Sequence, residues 1–329
     1  MNPYEEDSER YISTGVLPPG EVTRQMVDDA YDHFRSVNDG DVSRVYPALE
    51  VADPNAFGIC LVGTSGKVYA VGDADIQFPI MSVVKPFVFA LMCQHYGAPK
   101  LQEMVGVNST GLPFNSVAAI ERSPDGRTNP MVNAGAIATT SLAPGDSLES
   151  RWTFIYAGLC RFAGRELQVM TDVLESAMES NFRNRSITAA LEDKKRLYCS
   201  AGEALELYTR ACSLGVSARD LATMGSVLAD GGYDSLTGNS VIDARTCRHT
   251  LAVMATAGMY ETSGDWLYET GLPGKSGIGG GIVTIAPGKG ALGTYAPPLD
   301  EAGNSVKGQL VASFLSQKLG LDLFGSHRM

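Results

Sequence analysis

"PIMSVVKPFVFALM", Pro79 to Met92, carries one serine and one lysine in a run that is otherwise apolar. It predicts a helix starting near Ser82, with Pro86 accommodated in the first turn, where a backbone donor has no partner in any case. Its faces are apolar all round, so the helix belongs at the centre of the molecule. A lysine there is costly, because taking its charge out of water is unfavourable unless it is paired or gives up its proton.

Ser82 and Lys85 stand three residues apart, on one face of a helix. Two readings follow. Either Ser82 caps the helix and Lys85 reaches the surface, or a serine nucleophile touches a lysine that burial drives toward its neutral, basic form. The stretch "GLPGKSGIGGGIVTI" bears on the choice. Lys275-Ser276-Gly277 precedes a strand, much as the KTG triplet accompanies an SxxK helix in penicillin-recognising serine enzymes. The lysine brings positive charge, the hydroxyl a hydrogen bond, and the glycine close approach of backbone and substrate. A phosphate loop is the rival, but neither GxxxxGK[ST] nor GxGxxG followed by a helix fits the spacing.

Working outward, "PPGEVTRQMVDDAYDHFRSV" predicts an amphipathic helix with Val22, Met26, Ala30 and Phe34 on one face, and "FGICLVGTSGKVYAVGD" a hairpin turning at Thr64 to Gly66. Residues 101–229 read as mostly helical, with capping boxes at Ser200/Glu203 and Ser217/Asp220. A helix in "DARTCRHTLAVMATAG", strands in "GIVTIAP" and "ALGTYAPPL" joined by "GKG", and a helix in "GQLVASFLSQKL" close the chain. The expectation is an α+β fold of one domain, about 22–319. Its sheet subdomain is built from 1–94 and 232–329, and 95–231 form an inserted all-α subdomain.

The 329 residues carry a net charge of −11, which argues against nucleic acid or an anionic membrane as the main partner. The start, "MNPYEEDSERYISTGVLPPG", has no secretory pattern, and no apolar run is long enough to span a bilayer. Six cysteines (Cys60, Cys93, Cys160, Cys199, Cys212, Cys247) lie scattered without metal-ligand spacing, which suits a reducing cytoplasm and predicts no metal site.

"SVVKPFVFALM", "LPFNSV", "NPMVNAGAIATTSL", "FRNRS", "LYTRACSLGVSARDLATMGSVLADGGYDSLTGNSVI", "AGMYETSGDWLYETGLPGKSGIGGGIVTIAPG" and "APPLDEAGNSVKG" together resemble the serine-dependent glutaminase family, in order from about Val22 to Leu319. The resemblance implies the β-lactamase/transpeptidase-like fold, an antiparallel sheet flanked by helices, and hydrolysis of L-glutamine to L-glutamate and ammonia without a cofactor. It also implies a homodimer or homotetramer. Ser82 becomes the nucleophile, Lys85 its proton acceptor, Tyr260 the second acid/base group and Tyr46 a further hydroxyl. Asn133, Asn184 and Tyr208 match ligands of the amino-acid end, and the Ile278 backbone joins that of Ser82 as the oxyanion hole. One position departs from the pattern. Where the family carries a glutamate for the substrate ammonium, the register from Asn184 arrives at Ala177, with Glu175 and Glu179 two places to either side. A shift of two changes face on a helix but not on an extended segment. Two other readings stay open: a penicillin-recognising-type serine hydrolase or esterase of the same fold, and a non-catalytic glutamine-binding relative.

Overall fold

The computed structural model describes residues 15–325, so most of the acidic start, residues 1–14, lies outside the described residues. Strands β1 (Gly58–Gly63) and β2 (Val68–Gly72) form the expected hairpin. They are followed by β3 (Phe78–Pro79), β4 (Gln168–Val169), β5 (Leu214–Val216), β6 (Gly274–Ser276), β7 (Gly281–Ala286) and β8 (Gly290–Tyr295). The main sheet runs β2-β1-β8-β7-β6, and a small one runs β3-β5-β4. Every pairing within them is antiparallel, so the strands are helix-flanked antiparallel sheets as the sequence predicts. Chain ends complete the main sheet: β1 pairs with β8 from Gly58↔Tyr295 to Gly63↔Gly290.

Helices cover both faces of that sheet, which explains why β1 is buried at every residue instead of alternating. Ile59 and Leu61 enter one core with Val27, Phe34, Ile282 and Leu315, and Cys60 and Val62 enter the larger one with Val283 and Ile285. Each such aliphatic side chain contributes roughly 1.5–3 kcal/mol by leaving water. The first helix, Gly20–Phe34, buries Thr23, Val27, Ala30 and Phe34. Its seated stripe is therefore one residue on from the predicted Val22 and Met26, and Val22 is exposed. The Ala218–Ala229 helix, on the helical side of the boundary read from the sequence, packs against β1, β7 and β8. Contact is close: a Cβ on Gly293 of β8 would meet the Ala218 carbonyl at 2.1 Å.

Both predicted capping boxes form, Ser200 with Glu203 and Ser217 with Asp220. The helix of the opening stretch differs from expectation in its first turn. Ser82 lies in a 3₁₀ turn, Met81–Val84, and the α-helix proper runs Lys85–Tyr96. Pro86 is the cause, because with no N–H it leaves the Ser82 carbonyl without an α-helical partner, and the Lys85 N–H bonds that carbonyl instead. All nine residues from Lys85 to Cys93 are buried, which makes the helix central.

Candidate active site

The site lies where the 3₁₀ turn of Ser82 meets the end of β6. Met81, just before Ser82, holds φ +47°, a left-handed backbone unusual without glycine. Ser82 is 7% exposed and Lys85 2%. The Lys85 Nζ donates to the Met131 carbonyl at 3.2 Å and to Asn133 Oδ1 at 2.7 Å. Burial pushes its pKa down to about 7, opposed by the nearby Cys212. A neutral amine has two N–H bonds and one lone pair. With both N–H bonds committed to those acceptors, the lone pair is what remains for a proton from a neighbour.

Asn133 begins the helix Asn133–Ser141 without capping it. Its Nδ2 donates to Asn184 Oδ1 at 2.8 Å, and its Oδ1 also accepts from the Tyr208 hydroxyl at 3.3 Å. Asn184, from the helix Phe182–Asp193, donates in turn to the Tyr46 hydroxyl at 3.5 Å. Lys85, Asn133, Asn184, Tyr208 and Tyr46, spread over more than 160 positions of sequence, thus form one buried chain of hydrogen bonds. Burial pushes the Tyr46 phenol up to about 12, and Tyr208 is raised well above the ordinary range for the same reason.

A second group of residues comes from β6 and the turn holding Tyr260. Tyr260 also has a left-handed backbone, φ +59°. Its hydroxyl donates to the Ser276 carbonyl at 3.2 Å. Burial pushes the phenol up to about 12, countered by the hydroxyls of Ser82 and Ser276. The Tyr260 oxygen therefore sits between the Ser276 carbonyl and the Ser82 hydroxyl. Gly277 explains why KSG ends in glycine: a Cβ there would lie 3.1 Å from the Ser82 nitrogen and 3.0 Å from the Ile80 carbonyl. Ile278 follows in a tight turn closed by the Gly280 N–H on the Gly277 carbonyl at 3.0 Å. The backbones of Ser82 and of the Gly277-Ile278 step are accordingly neighbours.

The residues named from the sequence thus fall into two groups, the buried chain from Lys85 to Tyr46 and the cluster of Ser82, Tyr260 and Ile278 around the end of β6. Ala177 is buried, in the helix Thr171–Ser180, and its carbonyl accepts the Asn181 N–H. Because the segment is helical, Glu175 and Glu179 point to other faces, and both are exposed.

Two participants were not singled out, and a third has a setting other than expected. Phe114 packs its ring 4.3 Å from that of Tyr260, and the Lys85 Nζ lies 5.8 Å from its centroid. Only its place in the block "LPFNSV" pointed to it. Cys212 lies beside Tyr208 and Lys85, and burial pushes its thiol up to about 11. The third is Lys275. Expected to supply positive charge, it is completely buried, donates to the Ser276 carbonyl at 2.6 Å and stands 4.0 Å from the Tyr260 ring centroid. Burial, with the charge of Lys85 beside it, drives it far toward the neutral amine.

Comparison with known proteins gives the family of the chain. The family model described as Glutaminase matches residues 40–324. The chain is 61% identical over 316 residues to "Glutaminase 2" of Yersinia pestis, covering 96% of this chain and 93% of that protein. It is 41% identical over 307 residues to a glutaminase of Colwellia psychrerythraea, covering 93% and 99%. Among solved structures, the probable glutaminase ybaS superposes with a TM-score of 0.92 at 40% identity, covering 94% of this chain and all of that one. Mglu in its glutamate form superposes with a TM-score of 0.86 at 34% identity, covering 91% and 68%.

Proposed function

The chain belongs to the glutaminase family and is an amidohydrolase acting on glutamine, and from that premise we propose that it works through an acyl-enzyme on Ser82. The Ser82 Oγ attacks the side-chain carboxamide carbon of L-glutamine while its proton passes to the Lys85 amine. The carbonyl oxygen becomes an oxyanion that accepts from the backbone N–H groups of Ser82 and Ile278, a pair of fixed donors of which one is worth on the order of a hundredfold in rate. Tyr260 gives its proton to the departing nitrogen, so the C–N bond breaks with loss of ammonia and leaves a γ-glutamyl ester. Water then attacks the ester and gives a proton to the Tyr260 phenolate, the ester C–O bond breaks as Lys85 returns its proton to the Ser82 oxygen, and glutamate leaves. The observation that carries this reading is the bonding of Lys85: two acceptors for two N–H bonds, and a pKa of about 7, favour a free lone pair at neutral pH.

Asn133, Asn184 and Tyr208, with Tyr46 behind them, offer amide and phenol groups to the amino-acid end, so that a zwitterion is held without a strong net charge. Ala177 offers nothing to the ammonium. The enzyme is proposed to be a cytoplasmic homodimer or homotetramer. Its six cysteines are free, and among the described residues no helix is long and apolar enough to cross a membrane.

Ammonia release from glutamine by the Ser82→Ala variant tests the mechanism. The expected outcome is loss of turnover with glutamine still raising the melting temperature, because binding needs only the folded pocket. Full turnover in that variant would remove Ser82 from the reaction.

A further inference from the structure

Asn304 lies 44 residues along the chain from Tyr260 and farther from Lys85 and Ser82, yet it is completely buried and bonded to both segments that hold Tyr260. It closes the turn Asp300–Asn304 that precedes the helix Val306–Lys318. The Asp300 N–H donates to the Asn304 carbonyl and the Asn304 N–H to Asp300 Oδ1, both at 2.9 Å. Asp300 Oδ2 accepts from Gln309 Nε2 of that helix at 2.9 Å. The turn is therefore braced from outside the site, and the Asn304 side chain points inward from it.

Its two ends reach two elements. Asn304 Oδ1 accepts a short hydrogen bond from the Ser276 hydroxyl on β6. Its Nδ2 donates to Thr262 Oγ1 at 3.0 Å, and Thr262 Oγ1 donates on to the Met259 carbonyl at 2.8 Å. Met259 and Thr262 bracket Tyr260, the residue with φ +59°. Ser276 supplies the carbonyl on which the Tyr260 hydroxyl rests. One amide thus ties the strained turn to the strand carrying its hydrogen-bond acceptor. In the same turn, a Cβ on Gly303 would stand 3.9 Å from the Tyr260 ring and 3.5 Å from the Ile278 side chain.

We propose that Asn304 is the positioning residue of Tyr260, holding its phenol between Ser82 and the Ser276 carbonyl. Asparagine suits the task because it presents one acceptor and one donor in a fixed plane, as Ser276 and Thr262 require. A left-handed tyrosine persists only where its surroundings over-determine it, and a fully buried amide bonded on both sides does so. The inference rests on Tyr260 being the acid that protonates the leaving nitrogen. It follows that loss of Asn304 harms amide cleavage selectively, because an amide needs that proton and a thioester, whose thiolate departs unprotonated, does not.

The test compares kcat/KM for glutamine and for the γ-ethyl thioester of glutamate, in the wild type, Asn304→Ala, Thr262→Val and Tyr260→Phe. Asn304→Ala is expected to lower kcat on glutamine by about tenfold or more with KM within about threefold, and to leave the thioester within about threefold. Thr262→Val removes the hydroxyl that receives Nδ2 and shifts the ratio the same way by a smaller factor. It decides alone if the alanine variant does not fold. Equal slowing of both substrates by both variants, or of neither, overturns the positioning role. Tyr260→Phe separates the two readings. If it slows both substrates alike, the acid assignment of Tyr260 fails. If it spares the thioester while Asn304→Ala does not, the positioning role fails and the acid assignment stands.

Discussion

In the proposed mechanism Lys85 sets the pH range in which the Ser82 hydroxyl can be activated. Only the neutral amine accepts a proton, and its folded-state pKa is about 7. Below that value the base is occupied, so kcat/KM for glutamine should fall about tenfold per pH unit below pH 7 and level off above it. Tyr260, pushed up to about 12, stays protonated throughout and adds no alkaline limb in the ordinary range. A stopped ammonia assay between pH 5 and 9 checks this, and a flat profile would mean that Lys85 is not the titrating base. The other residue-scale expectation concerns Ala177. The helix around it sends Glu175 and Glu179 to solvent, so neither replaces the carboxylate implied by the family resemblance. Ala177→Glu should raise kcat/KM for glutamine by about tenfold through a charge-assisted contact with the substrate ammonium. It should also lower the melting temperature of the free enzyme, since it buries a carboxylate at a position 2% exposed. Steady-state kinetics beside a thermal melt reads both, and unchanged kinetics would show that the amine is held elsewhere.

At the scale of elements, the 3₁₀ turn Met81–Val84 and the end of β6 must approach within van der Waals distance. Gly277 allows that approach. Gly277→Ala should push the Gly277-Ile278 peptide away from the Ser82 nitrogen and cost about a hundredfold in kcat, the scale of one lost oxyanion donor, with little change in melting temperature. Wild-type kcat in that variant would place the oxyanion elsewhere. The hairpin, both capping boxes and the central helix were legible in the sequence, because each depends on neighbours a few residues apart. The 3₁₀ turn at Ser82 was not, although its cause, Pro86, was in plain view. Periodicity registers that a helix is present, whereas the identity of its first hydrogen bond depends on which N–H is missing. In the first helix Ala30 and Phe34 are seated as predicted, while Thr23 and Val27 take the places expected for Val22 and Met26, since Val22 and Val27 are equally apolar and only the partner, Phe57 and its neighbours, decides which is seated.

Over the whole molecule, the antiparallel sheet completed by both ends of the chain was legible because strands with turn residues recur near each terminus. Its family is that of the glutaminases, with the β-lactamase-like fold. The site residues named from the sequence came from ordered motifs spread along the chain, and the geometry gathers them in two groups. What stayed hidden was whatever depends on distant segments meeting: Phe114 against Tyr260, Cys212 beside Tyr208, and Asn304 bonded across to Ser276 and Thr262. Spacing along a chain carries no record of such meetings.

Met81 and Tyr260 hold left-handed backbones on either side of the reacting pair. Each conformation costs of order 1–3 kcal/mol and would relax if its short turn opened. Those turns hang from the rims of the sheet, and neither is needed for its strands to stay paired. On warming, the catalyst and the scaffold therefore have separate lifetimes. Ammonia release is expected to be lost on warming at temperatures where a circular-dichroism spectrum still shows the helices and strands in full, and simultaneous loss of both would overturn this separation.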